Sequence, residues 1–300
     1  MRPGDALDTG AHERGNSVYF PDRVVPMLPE VLSNGWCSLV PREDRPCMAA
    51  HIWIDAGGNL VRHEFRRGVM RSAARLTYSQ VQMARDGNGD DITEPLMESV
   101  IDPLYGAYAA LLKNRKTRGV LELDMPQRKV ELDTKGNVEI ISIRQRLDSH
   151  KLIEEFMIAA NIATARFLNA KKIPRLLRVH DGPTTEKVID LRSFLGELGL
   201  HLSGGAKPEP IDYMHLVEQI KGRADAHLIQ TVLLRSLSQA VYSPDQKGHF
   251  GLALEAYTHF TSPIRRYPDL LVHRAIRHCI QGKNPEDYAE TGSTAWRERG

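Results

Sequence analysis

Cysteine is scarce in this chain. Only Cys37, Cys47 and Cys279 occur in 300 residues. That odd, sparse set argues against a disulfide framework, and no CxxC or CxxH spacing marks a zinc site. No apolar run is long enough to span a bilayer. The opening of the chain carries charges and no apolar core, so it does not read as a secretory signal. Excess charge is missing as well. Lys plus Arg is 40 and Asp plus Glu is 38, which leaves +2. Binding through bulk charge, as a histone binds, is therefore excluded, and any anion must be met by local basic clusters. Together these absences point to a soluble, cytoplasmic protein of a reducing compartment, without membrane contact. What is present is ordinary globular composition, with 41% hydrophobic and 26% charged residues. The length suits one large domain or two smaller ones.

The pattern changes period along the chain. Residues 1–23 form a polar opening segment, with a short strand over 16–21. Pro26 and Pro29 break the chain and begin a loop. Residues 47–55 are apolar and β-rich. Ala56-Gly57-Gly58-Asn59 signals a turn and 60–65 alternates, so a β-hairpin is expected. Thr77 and Gln80 have capping-box spacing at the start of a short helix. Helical periodicity over 96–116 is interrupted by Pro103, which predicts a kink or a split. Short strands are expected at 120–123, 129–132 and 138–143. Helices are expected at 151–168, at 190–198 closed by Gly199, at 213–237 despite Gly222, and from Pro268 to residue 280. Hairpins and separate helices, without repeats, indicate one α+β domain with a mixed sheet rather than a βαβ array.

Residues 249–274 carry the most chemistry. They read as a strand feeding Thr261-Ser262-Pro263, then Arg265 and Arg266 immediately before a helix. A guanidinium fork suits phosphate, and a helix start adds free N–H groups nearby. Spacing alone leaves two readings open: a phosphate site, or surface charges with Asp269 as a local partner. His249, His259 and His273 fit no common zinc spacing and read as structural or RNA-adjacent.

This run resembles the signature of the ribonuclease II/ribonuclease R superfamily, nearest its ribonuclease R branch. Gly15-Asn16-Ser17-Val18-Tyr19-Phe20-Pro21, Ser72-Ala73-Ala74-Arg75-Leu76-Thr77-Tyr78 and Leu152-Ile153-Glu154-Glu155-Phe156-Met157 resemble further blocks in the same order. The resemblance implies an RNB catalytic-domain fold and hydrolytic 3′→5′ degradation of single-stranded RNA to 5′-nucleotides. It implies that Tyr19 and Tyr78 stack bases at the RNA 3′ end, and that Arg265 contacts the scissile phosphate. Arg266 supports Arg265 or meets a neighbouring phosphate. One glutamate of Glu154 and Glu155 serves near the RNA end, and the sequence does not say which. Part of the basic cluster Arg62, Arg66, Arg67, Arg71 and Arg75 is read as RNA-contacting. The clusters at 113–118 and 171–178 are read as solvated charge.

The resemblance also implies Mg²⁺, held by a tight aspartate cluster. No such spacing occurs here, and Asp5 and Asp8 do not supply it. Residues 2–8 resemble a family stretch that follows those aspartates. Met1 stands where the family often has valine, and the ligand aspartates are expected upstream of Met1. The expectation is a partial RNB domain over 1–300, incomplete at both ends, with a polar terminal stretch at 282–300. No metal ligands are assigned, and the chain is expected to be monomeric and inactive by itself. A non-catalytic RNA-binding homologue is the alternative.

Overall fold

In the computed structural model, residues 1–123 and 125–288 are described. The opening segment is polar but not featureless. Asp5 accepts from the Asp8 N–H and caps α1 (Ala6–Arg14), which ends at Gly15 with φ +68°. Asp8 faces inward. Its Oδ1 accepts from Arg274 at 2.7 Å and from the Tyr267 hydroxyl at 3.0 Å, and its Oδ2 from the Gly4 N–H at 2.7 Å. Burial works to raise this carboxyl, but those hydrogen bonds outweigh it and hold the group below its ordinary range. An ionised, fully satisfied Asp8 thus fastens the start of the chain to a helix near its other end.

A small ladder follows, β1 (Val18–Tyr19) with β2 (Val24–Val25). The loop expected after Pro29 contains a wide helical turn, Val31–Trp36. The expected hairpin forms from β3 (Asp44–Ile54) and β4 (Leu60–Arg71), longer than its apolar core suggested. Gly58 holds φ +76° at its turn. A Cβ there would lie 2.1 Å from the Ala110 carbonyl oxygen, so only glycine lets the turn approach that helix so closely. Thr77 and Gln80 cap α2 (Tyr78–Arg85) reciprocally. The helix expected over 96–116 is split at its proline. A 3₁₀ turn and a wide turn lead into α3 (Asp102–Arg118), where Pro103 sits in the first turn, the place its missing N–H costs nothing.

Residues 120–123 are not a strand. The next ladder is β5 (Arg128–Leu132) with β6 (Val138–Ile143). It exposes Val138, Ile140, Ile141 and Ile143 to solvent. The long α4 (Asp148–Ala170) runs through the middle of the molecule, then β7 (Leu177–Val179) and α5 (Thr185–Glu197). The single helix expected over 213–237 is two, α6 (Pro210–Gln219) and α7 (Ala226–Ser236). Gly222 at φ +80° breaks them, because a left-handed residue cannot continue a right-handed helix. β8 (Val241–Ser243) pairs with β7, and α8 (Tyr267–Ile280) is followed by a single 3₁₀ turn, Pro285–Asp287. Of the terminal stretch at 282–300, residues 289–300 lie outside the described residues.

Every named ladder among the described residues is two-stranded and antiparallel. Parallel pairing is limited to the isolated bridges Pro41–Ser72 and His180–His249. The expected mixed sheet is thus distributed as small ladders around helices. α4 joins two cores. One face meets Phe65 of the β3–β4 hairpin with Phe260, Val272 and Ile276, and another meets α2 and α3 through Leu152. α5, α6 and α7 pack around Leu195, Tyr213, Leu216 and Leu233 as a separate core.

Candidate nucleic-acid interface

The run from His249 that reads as a strand feeding the Thr261-Ser262-Pro263 turn is not one, and residues 256–260 are the part that bears on the site. They are extended but lie in no ladder, because side chains take over the bonding. Buried Asn161 of α4 donates from Nδ2 to the Tyr257 hydroxyl at 2.9 Å and accepts the Phe260 N–H at 2.8 Å. Thr258 donates to the Leu176 carbonyl at 2.6 Å, and the ring nitrogen Nε2 of His273 lies 2.8 Å from the Phe260 carbonyl oxygen. One backbone bond, from the Arg178 N–H of β7 to the Tyr257 carbonyl at 2.8 Å, joins these side-chain bonds, so the buried polar groups are satisfied without a full ladder. The segment therefore reaches the Thr261-Ser262-Pro263 turn in a fixed register along α4.

Past that turn the adjacent arginines diverge. Arg266 donates from Nη2 to the fully buried Asp269 carboxylate at 2.7 Å, and the same Oδ1 accepts the Ser262 N–H at 2.7 Å. The guanidinium of Arg265 makes no hydrogen bond or ion pair among the described residues. It lines an open cavity of about 420 Å³ together with Ser17, Tyr19, Thr261 and Ser262. The backbone holds the two sides together. Ser17 N–H donates to the Arg265 carbonyl at 2.9 Å, Tyr267 N–H donates to the Gly15 carbonyl at 2.8 Å, and Asn16 bridges Arg266. Tyr19 is 62% exposed. Among the described residues the hydroxyl of Thr261, buried at this cavity, has no hydrogen-bond partner, and neither do Arg266 Nε and Asp269 Oδ2.

Tyr78 and the glutamates lie near the N-terminal end of α4. Tyr78 starts α2, and its carbonyl accepts from Ser149 Oγ at 2.9 Å. The structure separates the two glutamates. Glu154 is half exposed and pairs with Arg146 at 2.6 Å. Glu155 is 4% exposed and pairs with Arg115 at 2.7 Å. Burial pushes the Glu155 carboxyl up, against the pull of Arg115. Glu155 points into the protein, and Glu154 remains available at the surface. Tyr78 shares no described cavity with Tyr19 and Arg265.

The first basic cluster is mostly committed. Arg66 and Arg62 pair with Glu64 at 2.7 and 3.6 Å, Arg62 also covers the Trp53 ring at 4.4 Å, and Arg71 pairs with Asp44. Arg67 and Arg75 make no ion pair among the described residues, and Arg75 is exposed just before α2. A basic cleft of about 820 Å³ was not singled out from sequence. Lys116 of α3, Arg146, Lys151 of α4 and Lys221 line it, with Glu122 and Glu218. Lys116, with Arg115 beside it, lies in the 113–118 run that reads as solvated charge; the other charges come from elsewhere in the chain, so their meeting in one cleft is not announced by sequence.

The histidines are structural in their contacts. The Tyr242 hydroxyl and Nδ1 of His259 lie 2.7 Å apart, and His249 accepts the Leu252 N–H. Burial first, then neighbouring positive groups, lowers His249 to about 4 and His259 to about 3. Among the described residues no group of three or more His, Cys, Asp or Glu could hold a metal ion. The aspartates Asp5 and Asp8 of the opening segment are committed to structural contacts. Met1 itself is exposed, Asp5 is used as the cap of α1, and Asp8 is used on Arg274 and Tyr267. No described helix is long and apolar enough to cross a membrane.

Known proteins resemble the chain over most of its length. The RNB domain pattern matches residues 1–282. Ribonuclease R of Escherichia coli (strain K12) is 49% identical over 282 residues, covering 93% of this chain and 35% of that protein. Ribonuclease R of Aquifex aeolicus (strain VF5) is 38% identical over 294 residues, covering 97% of this chain and 41% of that protein. The solved Mycoplasma genitalium RNase R in complex with ribose methylated single-stranded RNA superposes with a TM-score of 0.91 at 26% identity, over 99% of this chain and 46% of that one. The chain thus spans less than half the length of these relatives.

Proposed function

The chain belongs to the RNB domain family, and from that premise we propose that it is part of a ribonuclease R-type hydrolytic exoribonuclease. The protein would take single-stranded RNA from its 3′ end and release 5′-nucleotides. The observation that carries this reading is the cavity shared by Tyr19 and Arg265, in which the guanidinium has no partner among the described residues. An aromatic ring beside a free guanidinium fits a nucleotide: the ring takes a base face and the fork takes phosphate oxygens.

In this reading Arg265 grips the terminal phosphodiester and balances the charge that builds on it during hydrolysis. Arg266 positions that turn through Asp269. Tyr19 and Tyr78 stack bases at the 3′ end, Arg75 offers charge beside Tyr78, and Glu154 is the glutamate that serves near the RNA. Glu155 is assigned to structure, because a carboxylate buried on an arginine is not free for a ligand. The basic cleft at Lys116, Arg146 and Lys151 offers a path for the backbone. The protein acts as a monomer in the cytoplasm.

Magnesium would supply an activated water in such a hydrolase. The described residues do not fit a magnesium site, because the hard cation needs several oxygen ligands and no carboxylate group is assembled. The chain's own residues are left with grip and charge stabilisation, and the 300-residue chain alone is expected to have no or very low nuclease activity. The same observation favours a second reading, a non-catalytic RNA-binding homologue.

One assay separates these statements. The purified chain is mixed with a labelled oligouridine, first without and then with Mg²⁺. Salt-sensitive binding without degradation is the expected result. Absence of binding at low salt would sink the RNA reading. Robust Mg²⁺-dependent degradation would sink the expected inactivity and the second reading with it.

A further inference from the structure

We propose that His150 is a positioning residue that holds Tyr78 as a one-sided stacking platform for a nucleobase. This deepens the assignment of Tyr78 to RNA and rests on it. The imidazole of His150 and the phenol ring of Tyr78 lie with centroids 4.1 Å apart and planes 20° apart. That is a parallel stack, one of the favoured aromatic arrangements. His150 is the ring partner of Tyr78 among the described residues, and Tyr78 remains 43% exposed. One ring face is therefore backed by protein while much of the side chain stays open.

The support beneath the platform is itself fixed. His150 Nδ1 accepts the Leu147 N–H at 3.2 Å, in the reciprocal position of a capping box at the start of α4. A nitrogen that accepts carries no proton, so in the neutral ring the proton sits on Nε2. Desolvation, helped by Arg144 and Arg146, favours that neutral state. The next residue pins the backbone of the platform: Ser149 Oγ donates to the Tyr78 carbonyl at 2.9 Å, and the Ser149 N–H donates to Gln82 Oε1 at 3.2 Å. Helices α2 and α4 are thus locked together directly under the ring.

A tyrosine that is free in solution must surrender rotamer freedom when a base lands on it. The stack means Tyr78 has already given up that freedom. Losing the support should weaken RNA binding by roughly twofold to tenfold, the range for ordering one side chain on binding.

His150 has two separable jobs, cap and stack, and two variants divide them. His150→Gln keeps an acceptor for the Leu147 N–H and removes the ring. His150→Phe keeps the ring and removes the acceptor. Affinity of the 300-residue chain for a labelled oligouridine is measured with thermal melting alongside, for these variants, for Tyr78→Ala, and for Tyr78→Ala combined with His150→Gln. The expected result is that His150→Gln weakens binding with little change in melting, and that His150→Phe binds within about twofold of the parent. The double variant should bind no more weakly than Tyr78→Ala alone, because a support without its platform has nothing to hold. The inference is overturned, with Tyr78 left standing, if Tyr78→Ala weakens binding while His150→Gln does not, or if His150→Phe is as weak as His150→Gln. If Tyr78→Ala leaves affinity unchanged, the assignment of Tyr78 to RNA fails and takes this inference with it.

Discussion

Arg266 donates to the buried carboxylate of Asp269 at 2.7 Å, and this contact gives two adjacent arginines different work. It ties Arg266 to the first turn of α8 and leaves Arg265 facing the cavity of Tyr19.

The two arginines should therefore fail differently. Arg266→Ala strands a charge at 0% exposure, and breaking such a pair costs about 3–5 kcal/mol. Its melting temperature should drop sharply. Arg265→Ala should melt close to the parent but bind RNA more weakly, with the salt dependence of log K reduced by about one. Equal melting losses in both variants would contradict the assignment.

Tyr19 supplies a test of stacking against packing. It is largely exposed, so Tyr19→Ala should leave stability nearly unchanged. Loss of one stacked base should cost about 1–3 kcal/mol of oligonucleotide affinity. Tyr19→Phe should keep most of that affinity, because the ring face survives. Titration of a labelled oligouridine into each variant reads the difference.

Glu154 and Glu155 should also separate. Glu155→Ala leaves Arg115 buried at 12% side-chain exposure without its carboxylate and should destabilise by about 3–5 kcal/mol. Glu154→Gln removes a half-exposed pair worth at most about 1 kcal/mol, so its effect should appear in RNA binding rather than in denaturant melts.

The half-buried histidines His249 and His259 predict acid sensitivity. Burial, with positive neighbours, lowers His249 to about 4 and His259 to about 3, against 6.5 for the free group. Between those values the unfolded chain binds the protons and the folded chain does not, so stability rises with pH. Each group's contribution is whole above pH 6.5 and is lost as the pH falls towards its folded value. At pH 5 the loss should reach about 2 kcal/mol per histidine. His259→Asn should flatten the slope between pH 6.5 and 5. An unchanged slope for both this variant and His249→Asn would remove the histidines from the account.

Much of this was legible in the sequence, where the signal is local. The Thr77–Gln80 cap, the β3–β4 turn and the start of α8 at Pro268 each follow from neighbouring residues. Non-local bonding was not legible. The run that feeds the Thr261-Ser262-Pro263 turn reads as a strand but spends its hydrogen bonds on Asn161, Leu176 and a single bond from Arg178, which no alternation reveals. Gly222 was a visible warning, and the backbone does break there. Glu154 and Glu155 are equal in sequence. Only the position of Arg115, reached across from α3, decides which one is buried. His150 carries no sequence signal beyond lying in the first turn of α4, and its stack on Tyr78 depends on how two helices pack.

The central claim is that the cavity of Tyr19 and Arg265 receives the last nucleotides of an RNA chain. Photo-crosslinking an oligoribonucleotide that bears 4-thiouridine only at its 3′ end, followed by peptide mapping, tests it directly. The account predicts crosslinks within residues 16–27 and 261–266, lost when the same label is moved to the 5′ end. Crosslinks confined to other surfaces, or indifferent to which end carries the label, would contradict it.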